Sequence, residues 1–239
     1  MSLKNILMPP VMGSILSNIK EGGKLNLTEV IVLEKVKSAL NRVVENLEKN
    51  RQYLNDLDSP IGDSDHGESV CNAFHKVKEV VSDSSAQDIG TLLQEIGRSI
   101  IFSGGAAMGP LYGTAFMDAG TALAGKKDLS REDLVKMWEA FAKGIQRRGK
   151  VELGDKTMYD TIYPSFQVLK QAFEEGKPLK EMLQAAIEAA HQGMESTKDL
   201  VSKRGRSSRL GERSRGHIDP GAASSYFIVE AFFGSLMED

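Results

Sequence analysis

Apolar residues recur at three- and four-residue steps along most of the chain after residue 25, the spacing of the buried face of an α-helix. No segment shows the alternation of apolar and polar residues that is typical of a half-buried strand. The clearest stripes are Val36, Leu40, Val43, Val44, Leu47 and Leu54; Val70, Phe74, Val77 and Val81; Ile89, Leu92, Leu93, Ile96 and Ile100; and Leu179, Met182, Leu183, Ala186, Ile187, Ala190 and Met194. We therefore predict an all-α fold in one domain over residues 26–239, with residues 1–25 as an N-terminal arm.

Composition and charge argue against several classes of protein. The 239 residues are 41% hydrophobic and 26% charged, as in a globular protein, and the net charge of −3 argues against general nucleic-acid binding. Apolar runs stay below the roughly 20 residues of a membrane span, and the first residues lack a signal-peptide pattern. Cys71 is the single cysteine, which excludes an internal disulfide. We expect a cytoplasmic protein with no membrane or nucleic-acid partner.

One acidic loop, residues 58–67, interrupts the helical pattern with Asp58, Asp63 and Asp65 spaced five and two residues apart. Carboxylates this close repel one another unless a positive charge lies between them. Mg²⁺ takes oxygen ligands and often shares them with substrate phosphates, so a Mg²⁺-phosphate loop is one interpretation. A solvated turn is the alternative, because Asp, Gly, Ser and Pro are common turn residues.

The helix that follows this loop is expected to begin near Gly67, Glu68 and Ser69. The first N–H groups of a helix have no partner within the helix, so these amides would point back toward the loop. A helix N-terminus is a ready anion site. The segment would then offer carboxylates for a metal ion beside amides for a phosphate.

A glycine-rich run over residues 103–114 also interrupts the pattern. It lacks the spacing and the Gly-Lys-Ser/Thr ending of a Walker phosphate loop. It is either a helix break before a closely packed helix or a backbone surface that lies against a ligand.

A basic segment over residues 203–217, called the lid segment below, holds six cations and one anion. Such runs are usually solvated or bind nucleic acid, but this one has no aromatic residue. Its Gly, Ser and Arg content suits a flexible lid that closes on a phosphate, since the arginine side chain matches phosphate geometry. Asp219 is the expected N-cap of the last helix, with Pro220 as its first residue.

Charge links the acidic loop to the lid segment. Three aspartates carry −3, an ADP-like diphosphate carries about −3, and two Mg²⁺ ions supply about +4, which leaves a net negative site. A phosphoryl group in transfer adds negative charge, and arginines of the lid segment would offset it. This favours a phosphotransfer site.

Four motifs in this order resemble those of one family. They are Leu57-Asp58-x-x-Ile61-Gly62-Asp63-x-Asp65-His66-Gly67; Gly109-Pro110-Leu111-Tyr112-Gly113-Thr114; Gly154-Asp155-Lys156-Thr157-Met158; and Leu210-Gly211-Glu212-Arg213-Ser214 followed by Gly216-His217-x-Asp219-Pro220-Gly221-Ala222. The chain resembles the L subunit of dihydroxyacetone kinase, DhaL, and the matching domain of single-chain ATP-dependent dihydroxyacetone kinases. The resemblance spans roughly residues 28–237.

The resemblance implies an antiparallel eight-helix barrel that holds ADP or ATP and two Mg²⁺ ions at one end. It implies that Asp58, Asp63 and Asp65 bind the ions and that they and Arg206 are the catalytic residues. The implied nucleotide-binding residues are His66, Gly67, Glu68, Ser69, Ala107, Met108, Gly149, Met158, Arg206, Asp219, Pro220 and Gly221.

The resemblance also implies partners. In the family, an M-type phosphohistidine protein recharges bound ADP, and the phosphoryl group passes to a ketose held on a separate K-type subunit. Two alternatives remain: an ATP-dependent kinase subunit for another sugar, and a non-catalytic nucleotide-dependent module that binds a transcriptional regulator.

Several positions depart from the family pattern. Ser64 replaces a usual Gly or Ala, Glu68 and Ser69 replace a pair that ends in Asn, and Met108 replaces a Ser. These changes spare the carboxylates and alter the expected phosphate cradle.

Overall fold

The computed structural model describes residues 30–102 and 108–238, and helices dominate this part of the chain. Its α-helices are α1 (Leu33–Lys49), α2 (Arg51–Asp58), α3 (His66–Asp83), α4 (Ile89–Phe102), α5 (Met108–Ala122), α6 (Arg131–Gly149), α7 (Tyr159–Glu174), α8 (Leu179–Ser196) and α9 (Pro220–Met237). Two 3-10 segments, Thr197–Asp199 and Arg206–Ser214, precede α9. The predicted all-α fold is confirmed. The N-terminal arm and Ala107 lie outside the described residues.

The helices pack in a ring. Helix α1 packs on α3, each helix from α3 to α9 packs on the next, and α9 packs back on α1. The short helix α2 lies against α3 and α9. If α1 and α2 are counted as one broken helix, eight helices take part in this closed order of packing, and their arrangement as a barrel stays a prediction.

The apolar stripes of the sequence form the core between these helices. The members named above from the first three stripes are all less than 9% exposed, as are all members of the last stripe except Ile187. Trp138 stacks on Phe141 with ring centroids 4.9 Å apart and donates its ring N–H to Ser165 Oγ at 2.8 Å. Within residues 30–102 and 108–238, no helix is both long and apolar enough to cross a membrane.

The structure differs from the predicted pattern near the start of the domain. The stripe from Val36 to Leu54 suggests one continuous helix, but the chain breaks at Asn50, where φ is −101° and ψ is 8°. The Asn50 side chain donates to the Asn46 carbonyl at 2.8 Å and so competes with the helical backbone for that acceptor. The strands β1 (Ile31–Val32) and β2 (Asp128–Leu129) pair antiparallel and are too short to show an alternating pattern.

Helix caps fix where the later helices begin. Ser130 and Asp133 form a reciprocal capping box at the start of α6. The Asp219 side chain accepts from the Ala222 N–H at 2.8 Å, and Pro220 is the first residue of α9, as predicted. Residues of the acidic loop, the α6–α7 connection and the α8–α9 connection line one cavity.

Candidate functional site

The acidic loop is folded around the carboxylate of Asp58. This residue ends α2 and is only 8% exposed. Its Oδ2 accepts from the backbone N–H of Asp63 at 3.3 Å and of Asp65 at 3.2 Å. The loop therefore closes over the first carboxylate and brings the other two next to it.

Two backbone positions allow this tight loop. A Cβ added at Gly62 would lie 1.9 Å from Asp58 Oδ1, so only glycine leaves room for the carboxylate. Ser64 has a φ of +63°, in the left-handed region that favours glycine. Glycine, one of the two residues usual at this position in the family, would adopt this conformation without strain.

The three carboxylates form a group that fits a hard cation. One oxygen each from Asp58, Asp63 and Asp65 lies within 4.8 Å of the others. Opposite ligands of a Mg²⁺ ion, each about 2.1 Å from the metal, are roughly 4 Å apart, so these spacings suit one ion with little movement. Asp63 and Asp65 are about half exposed, which leaves their remaining oxygens accessible.

The start of α3 differs from the sequence-based expectation. The N–H groups of Gly67 and Glu68 are not free, because both donate to Asn55 Oδ1, at 2.7 and 3.4 Å. The Ser69 N–H donates to the Asp65 carbonyl. The expectation that these amides are free is therefore wrong, because a side chain of α2 already caps those of Gly67 and Glu68.

His66 points inward from the first position of α3. Its Nε2 lies 2.9 Å from Ser224 Oγ on α9, and the residue is 9% exposed. Burial lowers the pKa of His66 to about 4, and the nearby Asp58 charge only partly opposes this shift. His66 is therefore neutral at pH 7 and ties the acidic loop to the last helix.

The lid segment returns to the acidic loop. Arg206 contacts Asp63 through a guanidinium–carboxylate pair and lies 3.6 Å from Asp65. The expected flexible lid is ordered here as a 3-10 segment, Arg206–Ser214, kinked at Gly211. One arginine of this segment thus faces two of the three carboxylates.

Buried charges anchor the two ends of the lid segment. At its start, Arg204 donates to Asp155 Oδ2 at 3.1 Å and Lys203 Nζ lies 3.6 Å from Oδ1. Burial would raise the pKa of Asp155, but hydrogen bonds from the Glu152 N–H and Arg204 and the nearby cations hold it below its ordinary value. At its end, the Lys156 ammonium donates to the His217 carbonyl.

Lys156 is a buried cation that joins the α6–α7 connection to two points of the α8–α9 connection. It is 1% exposed, has a φ of +62°, and donates to the Thr197 carbonyl as well as to His217. Burial lowers the pKa of Lys156, and the charge of Asp219 opposes that shift. Burial also raises the pKa of Asp219 to about 7, against the opposing hydrogen bond from the Ala222 N–H.

A cavity of about 550 Å³ opens between these parts. Most of the predicted site residues line it, namely Asp58, Asp63, Asp65, His66, Ser69, Met108, Gly149, Met158, Arg206, Asp219, Pro220 and Gly221. Gly67 and Glu68 are not among the lining residues, and the Glu68 carboxylate pairs instead with Arg51 at 2.9 Å.

The cavity lining also contains residues that the sequence did not single out as site residues. The charged or polar ones are Arg148, Lys156, Thr157, Arg204 and Ser207, and the apolar ones are Ile61, Pro110, Leu111, Ile145 and Val151. Lys156 and Thr157 lie within a motif already quoted, which was the available signal for them. Ile145 and Val151 look like ordinary core positions in sequence. The cavity therefore combines the three carboxylates of the acidic loop, the Asp219 carboxyl group, several cations and an apolar wall.

Comparison with known proteins defines the class to which this domain belongs. The family model described as the DAK2 domain matches residues 60–234. The solved dihydroxyacetone kinase of C. freundii shares the fold, with a TM-score of 0.65 and 26% identity over 84% of this chain. The chain spans about a third of that protein, 34% of its length. The chain is therefore a DAK2-domain protein.

Two curated relatives narrow the class further. The chain is 40% identical to the ADP-binding subunit DhaL of PEP-dependent dihydroxyacetone kinase 2 of Listeria innocua, over 80% of this chain and 88% of the relative. It is also 40% identical to the ADP-binding subunit DhaL of the PEP-dependent dihydroxyacetone kinase of Escherichia coli, over 75% of this chain and 85% of the relative. The chain belongs to the DhaL family of dihydroxyacetone kinase subunits.

Proposed function

We propose that this chain is the nucleotide-binding subunit of a kinase for dihydroxyacetone or a related short ketose. It would pass a phosphoryl group from bound nucleotide to a ketose held on a separate K-type subunit. One observation carries the proposal: three clustered carboxylates and an arginine line a cavity in a chain that is 40% identical to named ADP-binding DhaL subunits.

Asp58, Asp63 and Asp65 would hold Mg²⁺, and the proposal includes two ions shared with the nucleotide phosphates. The clustered oxygens support this, because hard divalent cations prefer carboxylate and phosphate oxygens. When bound, Mg²⁺ would neutralise phosphate charge and orient the transferring group. Asp58 is the buried and hydrogen-bonded member, so it would provide the fixed ligand around which the exposed pair adjusts.

The nucleotide would occupy the cavity. Its volume of about 550 Å³ lies within the roughly 300–1,000 Å³ of small-molecule sites. Met108, Leu111, Ile145, Val151 and Met158 supply an apolar wall for a base. Arg148, Arg204 and Arg206 supply cations in the same lining for phosphates.

Arg206 would stabilise the negative charge of the phosphoryl group during transfer. It already lies at the carboxylates, and its side chain is 57% exposed, so it can move to a phosphate without crossing the core. Phosphoryl transfer depends mainly on positioning and electrostatics, and an arginine is its usual mobile cation. The buried and neutral His66 would hold the start of α3 in place rather than transfer protons.

Some of the departures from the family pattern line the cavity and others lie outside it. Glu68 pairs with Arg51 outside the cavity, so its change leaves the lining intact. Ser69 and Met108 do line the cavity, and Met108 is half-buried. We therefore expect Ser69 and Met108 to account for any difference in nucleotide affinity between this chain and family members with the usual residues.

Reconstitution of the kinase tests the proposal. The chain would be mixed with a K-type subunit, an M-type phosphohistidine protein and its phosphoryl source, Mg²⁺, ADP and dihydroxyacetone, and ketose phosphate would be followed by ³¹P NMR. We expect product only when the K-type subunit is present, because the chain would hold nucleotide and the partner would hold the ketose.

Two outcomes would change the proposal. Product with ATP but without the M-type protein would favour direct use of ATP. No product with dihydroxyacetone or other short ketoses, under conditions in which a characterised DhaL subunit is active, would contradict a kinase function.

A further inference from the structure

One side chain of α2 joins the two ends of the acidic loop. Asn55 Oδ1 accepts from the N–H groups of Gly67 and Glu68 at 2.7 and 3.4 Å, at the start of α3. The Asn55 backbone carbonyl accepts from the Ser59 N–H at 3.0 Å, where α2 ends. Asn55 therefore makes hydrogen bonds at both ends of the loop that holds the three carboxylates, where α2 ends and where α3 begins.

The backbone around this contact is packed tightly. A Cβ added at Gly67 would lie 2.1 Å from the Arg51 carbonyl oxygen and 2.7 Å from Asn55 Oδ1. Helices α2 and α3 therefore meet at Gly67 with no side chain between them. The close approach places the Asn55 amide directly over the first N–H groups of α3, which have no partner within the helix.

This contact constrains the geometry of the acidic loop. Asp58 lies three residues after Asn55 on α2, and Asp65 lies two residues before Gly67. A bond between Asn55 and Gly67 therefore fixes the distance between the buried carboxylate of one helix and the carboxylate that precedes the next. Partners that orient metal ligands affect metal affinity although they never contact the metal.

We propose that Asn55 is a positioning residue that pre-organises the three carboxylates for divalent-cation binding by capping α3 from α2. This inference rests on the metal site of the proposed function and deepens it. Asn55 itself contacts no metal. It acts by holding Asp58 and Asp65 at a spacing that matches one cation before the cation arrives.

The test measures binding of Mn²⁺ alone, by the loss of the electron paramagnetic resonance signal of the free ion. Asn55→Ala should bind Mn²⁺ roughly tenfold more weakly than the wild type, the lower end of the effects of such partners. Asn55→Gln should also bind Mn²⁺ more weakly than the wild type, because the extra methylene moves the side-chain amide away from the two N–H groups of α3. Asn55→Asp should stay within about threefold of the wild type, because its carboxylate can accept the same two N–H bonds.

A matched control lies on the same helix. Gln52 is an exposed amide whose side chain donates to Asp56 at 2.8 Å, away from the loop. Gln52→Ala should bind Mn²⁺ as the wild type does. Circular dichroism would establish which variants fold, and the comparison of Asn55→Gln with Asn55→Asp provides the test if Asn55→Ala does not fold.

Two results would contradict the inference in different ways. Folded Asn55→Ala or Asn55→Gln protein with wild-type Mn²⁺ affinity would overturn the role of Asn55 and leave the metal site standing. The same holds if Asn55→Asp loses as much affinity as Asn55→Gln. Wild-type protein that binds no Mn²⁺ would overturn the metal site of the proposed function and this inference with it.

Discussion

The Arg206 guanidinium contacts the Asp63 carboxylate and lies 3.6 Å from Asp65, so a cation of the lid segment faces two of the three loop carboxylates. A metal ion that uses these carboxylates must displace or share that contact. Under the proposed function, Arg206 and the metal would therefore compete in the ligand-free protein. Once nucleotide is bound, both would act on the same phosphates.

Replacing Arg206 should affect the metal and the reaction in opposite directions. Arg206→Gln should bind Mn²⁺ alone about two- to fivefold more tightly, because an exposed ion pair of this kind stabilises by about 0.2–1 kcal/mol. The same variant should lose roughly 10³-fold in phosphoryl transfer, as expected for loss of an arginine that offsets transition-state charge. Electron paramagnetic resonance titration and the reconstituted assay measure the two effects.

Arg209 provides the matched control, since it is exposed in the same 3-10 segment and is not among the cavity-lining residues. Arg209→Gln should leave both quantities unchanged. Weaker Mn²⁺ binding by Arg206→Gln would show that the arginine does not compete with the metal.

The close approach of Gly62 to Asp58 predicts a strong effect from one methyl group. In Gly62→Ala, the new Cβ would lie 1.9 Å from Asp58 Oδ1, so the carboxylate or the loop must move. We expect the free energy of unfolding to fall by about 1–3 kcal/mol and Mn²⁺ affinity to fall roughly tenfold. Urea unfolding and metal titration check this prediction.

Gly234 is a useful comparison because an added Cβ meets no atom within 4 Å. It lies inside α9, so Gly234→Ala should stabilise the protein by about 0.5–1 kcal/mol and leave metal binding unchanged. Equal behaviour of the two alanine variants would argue against a steric requirement at Gly62.

The buried Asp219 predicts a pH dependence of stability. Burial raises the pKa of Asp219 to about 7 in the folded protein, where Lys156 and Asp160 are the charges that face it, whereas an unfolded aspartate titrates near about 3.9. Between these values the unfolded chain releases its proton first, so the contribution of Asp219 to stability falls as pH rises from about 4 to 7. Asparagine is also a good N-cap residue, so Asp219→Asn should keep the cap. It should not show this loss of stability as pH rises, because its side chain does not titrate.

Urea unfolding at several pH values measures the effect. The difference in unfolding free energy, Asp219→Asn minus wild type, should increase by about 1–4 kcal/mol between pH 4 and pH 8. Asp133 should show a pH dependence of stability with the opposite sign. Burial would raise the pKa of Asp133, but hydrogen bonds from Ser130 and Lys126 hold that pKa below its ordinary value. Asp133→Asn should therefore lose stability relative to the wild type as pH rises through the ordinary aspartate range, near about 3.9. A pH-independent difference for Asp219→Asn would contradict the shifted pKa.

The helices and the carboxylates could be predicted because both depend on local sequence. The apolar stripes specify which faces are buried, and Pro60 and Asp219 mark helix ends within a few residues. Asp58, Asp63 and Asp65 lie close enough in sequence that any tight loop brings them together. Most of the site residues implied by the family resemblance line the cavity, and they make up half of its lining.

The remaining features depend on contacts between distant residues. The amides at the start of α3 looked free in sequence, but the Asn55 side chain, twelve residues earlier than Gly67, occupies them. Lys156 was missed as a site residue because its role depends on the carbonyls of Thr197 and His217, which only the fold brings near. The break at Asn50 was missed because the apolar spacing continues across it.

Under the proposed function, the three aspartates hold nucleotide through a divalent metal. Native mass spectrometry of protein purified with Mg²⁺ and ADP tests it directly, using the wild type, Asp63→Ala and the control Asp56→Asn, an exposed residue of α2. The wild type and Asp56→Asn should show the added mass of Mg²⁺ and ADP, and Asp63→Ala should show the bare chain. Asp63→Ala that retains Mg²⁺ and ADP as the wild type does would contradict the assignment.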